Sequence, residues 1–153
     1  MNKSAVGSTF EISLRILLML NAFPSIKLDA QQISAVDFIS VYAADFGLMD
    51  ENLHGYSNYR FGEYVARKEM ISAALKDLVL DSFIKLHSTS TGYQYSILDA
   101  GRKVCSELTS SYAKEYILAV QATVKRFDQA DEEAMLKEIN RQTVRSLQEV
   151  RHE

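Results

Sequence analysis

The 153-residue sequence contains a single cysteine, Cys105. One cysteine excludes an internal disulfide and a metal cluster built on cysteine ligands, and it suits a reducing compartment. Because Cys105 lies within a helical pattern of apolar residues, we expect it to be a small buried core residue. A cytoplasmic location is the corresponding expectation.

Long hydrophobic runs are also missing. The longest, residues 16–20, closely follows Glu11 and Arg15. A membrane-spanning helix needs about 20 apolar residues, and a signal peptide needs an apolar region of about 7–15. Neither fits this sequence. Hydrophobic residues still make up 47% of the chain, enough for the core of one domain or of a small domain with a helical appendage.

The chain has no excess of positive charge, because its formal net charge is −3. Residues 1–55 carry three cations and six anions, residues 56–104 seven and five, and residues 105–153 seven and nine. Only the middle part is basic, by two charges. An excess of two positive charges is small compared with the basic face of a dedicated DNA-binding domain.

The segment from residue 63 to residue 108 predicts a helix, a hairpin and a second helix. In the first helix Ile71, Ala74, Leu75 and Leu78 follow the spacing of one helical face. Alternating segments at 83–87 and 93–97 then flank a turn at 88–92, and Asp99 is placed to cap the next helix. This order predicts a mainly α fold, a winged helix-turn-helix with a two-stranded wing. We assign it to residues 8–104, with a C-terminal helical extension at 105–150.

Further helices are predicted on both sides of this segment. Ser8 and Glu11 form a capping box for a first helix that is apolar nearly all round and therefore central. A second helix runs from Asp29 to Gly47, and one long helix runs from Asp99 to Phe127. A last, narrow stripe consists of Leu136, Ile139, Thr143, Leu147 and Val150. The C-terminal helices are more than a winged helix needs to close its own core, so we expect them to serve dimerisation or docking to a partner. Leu136, Ile139 and Leu147 are the candidate contacts.

The connection at residues 48–61 is much longer than the three or four residues of an ordinary helix-turn-helix. Loops of this length are usually functional or disordered. Tyr56, Tyr59 and Arg60 indicate an ordered loop. It either packs on its own domain or forms part of a partner surface, and for the second case these three residues are candidate partner contacts.

The face of the 63–79 helix that should point outward is poor for reading DNA. It carries Val65, Ala66, Glu69, Ser72, Ala73 and Lys76. Arginine, asparagine and glutamine, which form bidentate hydrogen bonds with base edges, are absent from it. The wing tip offers only hydroxyl groups. A surface for protein contact is therefore favoured over sequence-specific recognition of DNA. The candidates for non-specific contact with DNA phosphates are Lys68, Lys76, Lys85, His87, Arg102 and Lys103.

No arrangement of residues predicts an enzyme, a cofactor or a metal. The three histidines lie far apart, and the sequence has no glycine-rich phosphate loop, G-x-S-x-G elbow or HExxH motif. One buried charge does need a partner, because Arg67 flanks the apolar face of its helix. We expect a structural ion pair between Arg67 and Asp37 on the preceding helix, rather than a functional site.

Ordered segments of the sequence resemble the small middle component of bacterial ABC-three-component defence systems, a group related to the Lamassu anti-phage systems. The resemblance covers roughly residues 9–150, and its segments are residues 10–17, 36–38, 45–47, 51–55, 63–68, 78–84, 95–97 and 101. It implies a non-catalytic winged-helix subunit that binds an SMC-like ABC ATPase and an effector such as a nuclease. Among the matching positions, Asn52, Leu53, His54 and Arg67 are candidate partner contacts.

The sequence thus supports two functions. The first is an accessory subunit of an anti-phage or anti-plasmid complex, which bridges the SMC-like ATPase and its effector and touches DNA non-specifically if at all. The alternative is a free-standing winged-helix transcription regulator that dimerises through its C-terminal helices. Neither involves a membrane or a small-molecule substrate.

Overall fold

The computed structural model describes residues 8–55 and 62–151. Within these ranges, the chain forms six helices and one antiparallel hairpin. Their bounds, in chain order, are α1 Thr9–Ala22, α2 Ala30–Val41, α3 Glu63–Leu80, β1 Ile84–Thr89, β2 Gly92–Ile97, α4 Asp99–Glu107, α5 Ser111–Arg126 and α6 Glu132–Arg151.

Helix α1 is central, as its apolar circumference predicts. The Ser8 hydroxyl accepts a hydrogen bond from the Glu11 amide at 3.1 Å and caps the helix. Residues 15–20 are all buried, and α1 packs against α3, α4 and α5. A helix surrounded in this way must be apolar on every side, so the one cation among these residues, Arg15, needs an internal partner.

Helix α2 is shorter than predicted, because it ends at Val41 rather than at Gly47. Asp29 and Gln32 start it with a reciprocal capping box. Beyond Val41 the chain turns, and the side-chain oxygen of Asn52 accepts hydrogen bonds from the amides of Ala44 at 2.8 Å and residue 45 at 3.3 Å. These bonds replace those of a continued helix. Gly47, at φ +72°, lies in the following turns instead of capping the helix.

The hairpin is tighter than the sequence suggests. Its strands pair from Ile84 opposite Ile97 to Thr89 opposite Gly92, which leaves a two-residue turn at 90–91 instead of five residues at 88–92. The Thr89 hydroxyl donates to the Gly92 carbonyl at 2.8 Å and stabilises the turn. Gly92 itself has φ +142°, a conformation that favours glycine.

A third segment joins the hairpin through a bridge that the sequence does not reveal. Leu28, between α1 and α2, pairs with Tyr95 through backbone hydrogen bonds of 2.8 and 3.3 Å. Along the chain, the order is therefore α1, the bridging residue Leu28, α2, α3 and the hairpin. This order is compatible with a winged helix.

The long helix predicted from Asp99 to Phe127 is divided in two. Helix α4 ends at Glu107, and Ser110 caps α5 by accepting a hydrogen bond from the Ala113 amide at 3.1 Å. A serine at this position starts a new helix, since its side chain satisfies a free amide of the first turn. The apolar spacing continues across it and does not reveal the break. The predicted cap at Asp99 is also wrong. Asp99 is the first residue of α4, and its side chain accepts from Arg102 instead.

Residues beyond 104 share the core of the residues before it. Tyr116 and Val120 of α5 and Met135 and Ile139 of α6 belong to the same buried cluster as α1, α2 and α3. The inward face of α6 is not the predicted stripe, because residues 135, 139, 142 and 146 are buried while Leu147 is 60% exposed. Apolar periodicity missed this phase because positions 142 and 146 are polar. No described helix is both long and apolar enough to cross a membrane.

Candidate functional site

The centre of the molecule contains a buried carboxylate, Asp37 of α2, which is 2% exposed. Arg15 of α1 binds it with two hydrogen bonds, Nε to Oδ1 at 2.8 Å and Nη2 to Oδ2 at 3.1 Å. The Tyr116 hydroxyl of α5 donates to Oδ1 at 2.7 Å, and Nη1 of Arg67 on α3 lies 3.5 Å from Oδ2. One carboxylate thus joins α1, α2, α3 and α5. We refer to these four residues as the Asp37 network.

The charges of the Asp37 network stabilise each other. Burial alone raises the pKa of Asp37, but the nearby cations of Arg15 and Arg67 and the hydroxyl of Tyr116 outweigh it, so the pKa falls below the ordinary 3.8. Burial and the Asp37 charge hold the pKa of Tyr116 well above its usual value. Asp37 is therefore ionised and Tyr116 neutral at physiological pH. Glu11 adds a second anion, 2.9 Å from Nη1 of Arg15.

Arg67 connects this network to the surface. Its Nη2 donates to Glu63 at 2.9 Å, and its guanidinium lies over the Tyr42 ring at 5.9 Å. The contact with Asp37, the pair expected from the sequence, is longer than the two bonds that Arg15 makes. Arg15 is therefore the main partner of Asp37, and sequence reasoning gave it no role. A lone cation four residues after Glu11 in an otherwise apolar helix was the available signal.

His54 attaches the loop after α2 to the same network. Its Nε2 lies 2.8 Å from the Tyr112 hydroxyl, and Nη2 of Arg67 lies 3.2 Å from its Nδ1. Because arginine can only donate, Nδ1 accepts and Nε2 carries the proton of a neutral ring. Burial, followed by the Arg15 and Arg67 charges, lowers the His54 pKa from 6.5 to about 4.

Asn52 and Leu53, two further predicted partner contacts in this loop, pack against the chain's own residues. Asn52 is 8% exposed, and its amide group also donates to the Gly55 carbonyl at 2.9 Å, so it holds the loop together. Leu53 is half-buried against the core. The described part of the loop, residues 48–55, therefore packs on its own domain. Tyr56, Tyr59 and Arg60 lie outside the described residues.

Within the described ranges, no group of three potential ligand side chains is placed to hold a metal ion. The one thiol is also unsuited to act as a nucleophile, since burial raises the pKa of Cys105 to about 11. Arg15, Arg67 and Tyr116 all direct polar atoms at the Asp37 carboxylate, so the arrangement connects four helices.

An apolar surface lies between α3 and the hairpin. Leu80 is 70% exposed, Leu86 40% and Tyr93 57%. Together with Val79 and Tyr95 they line a hollow of about 280 Å³, and the only cation lining it within the described chain is Lys76. We call these residues the wing surface. Such a cluster is a candidate contact site for another protein.

The candidate DNA contacts lie on α3, β1 and α4, and those near the hairpin are divided between its two sides. Strand alternation places Lys85 and His87 on the side of β1 opposite Leu86 of the wing surface. Lys68 lies over the Tyr64 ring at 5.1 Å. Of the other three candidates, Lys76 lines the wing surface, Arg102 pairs with Asp99 at 2.9 Å and Lys103 is exposed on α4.

The three contacts predicted on α6 also differ in position. Ile139 is 2% exposed and packs within the core, so it is unavailable to a partner. Leu136 is half-buried, and Leu147 is the exposed member of the three. The three residues differ in exposure because the buried face of α6 is formed by residues 135, 139, 142 and 146 and not by the predicted stripe.

Comparison with known proteins identifies a family for nearly the whole chain. No curated protein and no solved structure matches it. The family model for the ABC-three component (ABC-3C) system Middle Component 2 matches residues 5–149. This agrees with the resemblance carried by the ordered sequence segments. The chain belongs to the family of ABC-3C system Middle Component 2 proteins.

Proposed function

We propose that this chain is a non-catalytic winged-helix subunit that bridges an SMC-like ABC ATPase and its effector in a cytoplasmic Lamassu-type defence complex. Membership of the ABC-3C family supports joint action with other components of such a system. The order of helices, Leu28 bridge and hairpin supports the winged-helix assignment. The structure of the Asp37 network favours a scaffold, because every charge there serves contacts between helices.

The wing surface is the observation that carries this proposal. A winged helix that grips DNA needs cations and base-reading side chains on the recognition helix and wing. Here Leu80, Leu86 and Tyr93 are exposed instead. Large apolar and aromatic side chains of this kind act as anchors at protein interfaces. The geometry therefore supports docking of a partner subunit on this side.

Co-purification tests the proposal. The tagged chain is expressed with the proteins encoded beside it, and the complex is analysed on a sizing column. Full burial of a leucine contributes about 1.5–3 kcal/mol, and Leu80 and Leu86 are 70% and 40% exposed, so the Leu80→Glu/Leu86→Glu variant should bind at least about tenfold more weakly while its thermal unfolding stays cooperative. Leu118→Glu is the matched control, since Leu118 is 55% exposed on α5. A chain that elutes alone in its unmodified form contradicts the proposal.

DNA contact is a secondary part of this function, and the regulator alternative makes a different prediction. We expect weak, non-selective binding that decreases as salt rises. A free-standing regulator would instead shift an operator tightly and selectively at physiological salt, and Lys68→Ala or Lys76→Ala would abolish the shift. A gel-shift titration over random and promoter DNA separates the two functions.

A further inference from the structure

A second apolar region lies on the side of the molecule formed by α1, α3 and α4. It is a groove of about 580 Å³ between the first turns of α1 and the end of α4. Leu17 and Leu78, both at most 5% exposed, form its floor. Phe10, which is 71% exposed, stands at one wall, and Val104 of α4 stands at the other. We call this region the acidic groove, for the reason given next.

The described charged residues that line this groove all have one sign. Asp77, Asp81 and Glu107 line it, and no lysine, arginine or histidine does so among the described residues. Within that same part of the chain, none of the three carboxylates has an ion-pair partner. An apolar floor with an uncompensated negative rim is the complement of a segment that is apolar in the middle and cationic at its edges.

Helix dipoles strengthen this asymmetry. Asp77 and Asp81 lie at the C-terminal end of α3, and Glu107 is the last residue of α4. A helix C-terminus carries partial negative charge, so carboxylates there are placed unfavourably and cations are favoured. A cationic partner would relieve repulsion at both helix ends.

We propose that the acidic groove binds an amphipathic helix of a partner subunit, whose apolar stripe is flanked by lysine or arginine. The inference rests on the proposed function, because it presupposes a complex. An amphipathic helix fits because it lays residues at three- and four-residue spacing into a groove between helices. A small ligand fits less well, since no buried polar side chain in the groove lining would fix its orientation.

A second copy of the chain is a poor occupant. A symmetric dimer brings the same patch of both subunits together. The three carboxylates of one groove would then face those of the other. Like charges at an interface disfavour association, so the partner is expected to be a different protein.

Photo-crosslinking tests the proposal in the assembled complex. Phe10 is replaced by p-benzoylphenylalanine, the complex with the neighbouring components is irradiated, and crosslinked peptides are identified by mass spectrometry. We expect a partner segment with apolar residues at helical spacing and at least two flanking cations. The same replacement at Leu118, which is exposed on α5, should not capture that segment.

Several outcomes overturn the inference. They are a crosslink to a second copy, to residues 1–7 of the same chain or to an acidic partner segment, and an intact complex without a crosslink. These outcomes leave the proposed function standing. Failure of the complex to form overturns the proposed function and this inference with it.

Charge neutralisation provides an independent measurement. The variant Asp77→Asn/Asp81→Asn/Glu107→Gln should bind the partner about tenfold more weakly at low salt, with a flatter salt dependence, and its melting temperature should not fall. The control, Asp50→Asn/Glu115→Gln/Glu133→Gln, removes the same charge from exposed positions away from the groove. Equal weakening by both variants would mean that net charge, and not the acidic groove, is responsible.

Discussion

Asp37 determines the arrangement of the core at the scale of single residues. Two guanidinium groups and one hydroxyl from three other helices converge on its two oxygens. Buried ion networks do not always add stability compared with apolar packing, but removing one member leaves the others without compensation. The arrangement is therefore very sensitive to the loss of its only fully buried anion.

Asp37→Asn tests this sensitivity. The amide keeps the size of the side chain but leaves Arg15 and Arg67 without their shared counter-charge, so we expect a loss of about 3–5 kcal/mol in the free energy of unfolding. Urea denaturation followed by circular dichroism measures it. Asp99→Asn, which removes an exposed ion pair with Arg102, should leave the midpoint nearly unchanged. A loss below about 1 kcal/mol for Asp37→Asn would contradict the prediction.

His54 should make stability depend on pH. Its pKa is about 4 in the folded protein and 6.5 ordinarily, so the unfolded chain binds the proton more tightly. The contribution of His54 to the free energy of unfolding is complete above pH 6.5 and is lost as the pH falls towards 4. The loss is at most about 1.4 kcal/mol per pH unit, and it is smaller because solvent partly reaches the ring. The effect of Asp37 belongs to a lower range, below its ordinary pKa of 3.8.

Melting temperatures between pH 4 and pH 7 check this dependence. His54→Gln should be less stable at pH 7 but should have a flatter profile. His87→Gln, on the exposed hairpin, should keep the steep profile of the unmodified protein. Identical slopes for the unmodified protein and His54→Gln would show that another group titrates.

The sequence was informative about part of this network and silent about the rest. Arg67 and Asp37 can be predicted as partners because each interrupts an apolar face, and they lie 3.5 Å apart. Arg15 cannot be predicted in this way, because a helix that is buried all round has no face to interrupt. Tyr116 counted as one more apolar residue, since nothing in its spacing reveals where its hydroxyl points.

At the scale of elements, the clearest agreement is α3. Its predicted inward residues are buried and its predicted outward residues are exposed, because the large apolar residues Ile71, Leu75 and Leu78 follow the spacing of one helical face. The ends of α2 and α4 were placed too late for a different reason. Their termination depends on side chains that cap from outside the apolar pattern, Asn52 and Ser110.

Gly101 shows how closely α4 packs on the hairpin. A Cβ atom at this position would lie 2.5 Å from the Phe83 carbonyl oxygen and 2.7 Å from Cδ1 of Ile97. Because the carbonyl belongs to the backbone and accepts from the Leu98 amide at 3.0 Å, it cannot move freely. We expect Gly101→Ala to cost about 1–3 kcal/mol in unfolding free energy.

Thermal unfolding measures this cost, with Gly62→Ala as the control. Gly62 has φ −71° and no atom within 4 Å of its added Cβ. Its replacement should change the melting temperature little. If Gly101→Ala were equally harmless, the packing of α4 against Phe83 would be looser than these distances indicate.

At the scale of the whole molecule, α5 and α6 complete the core. Tyr116 of α5 is fully buried beside Asp37, and Met135 of α6 is fully buried as well. We expect a chain ending at residue 104 to lose cooperative thermal unfolding, because it exposes the apolar faces of α1 and α2. A chain ending at residue 131 keeps the Tyr116 hydrogen bond and should unfold cooperatively at a lower temperature. A cooperative transition in the shorter chain would instead identify residues 8–104 as an autonomous domain.

The bridge between Leu28 and Tyr95 has a consequence for the order of folding. These residues are 67 positions apart, whereas the hairpin forms from neighbours in sequence. Closing so long a loop costs more chain entropy than closing a short one, so distant pairings follow local ones. The hairpin should form early and acquire its final position only after α1 has docked and brought Leu28 to it. Under the proposed function, a partner that binds the wing surface would therefore select completely folded copies of the chain.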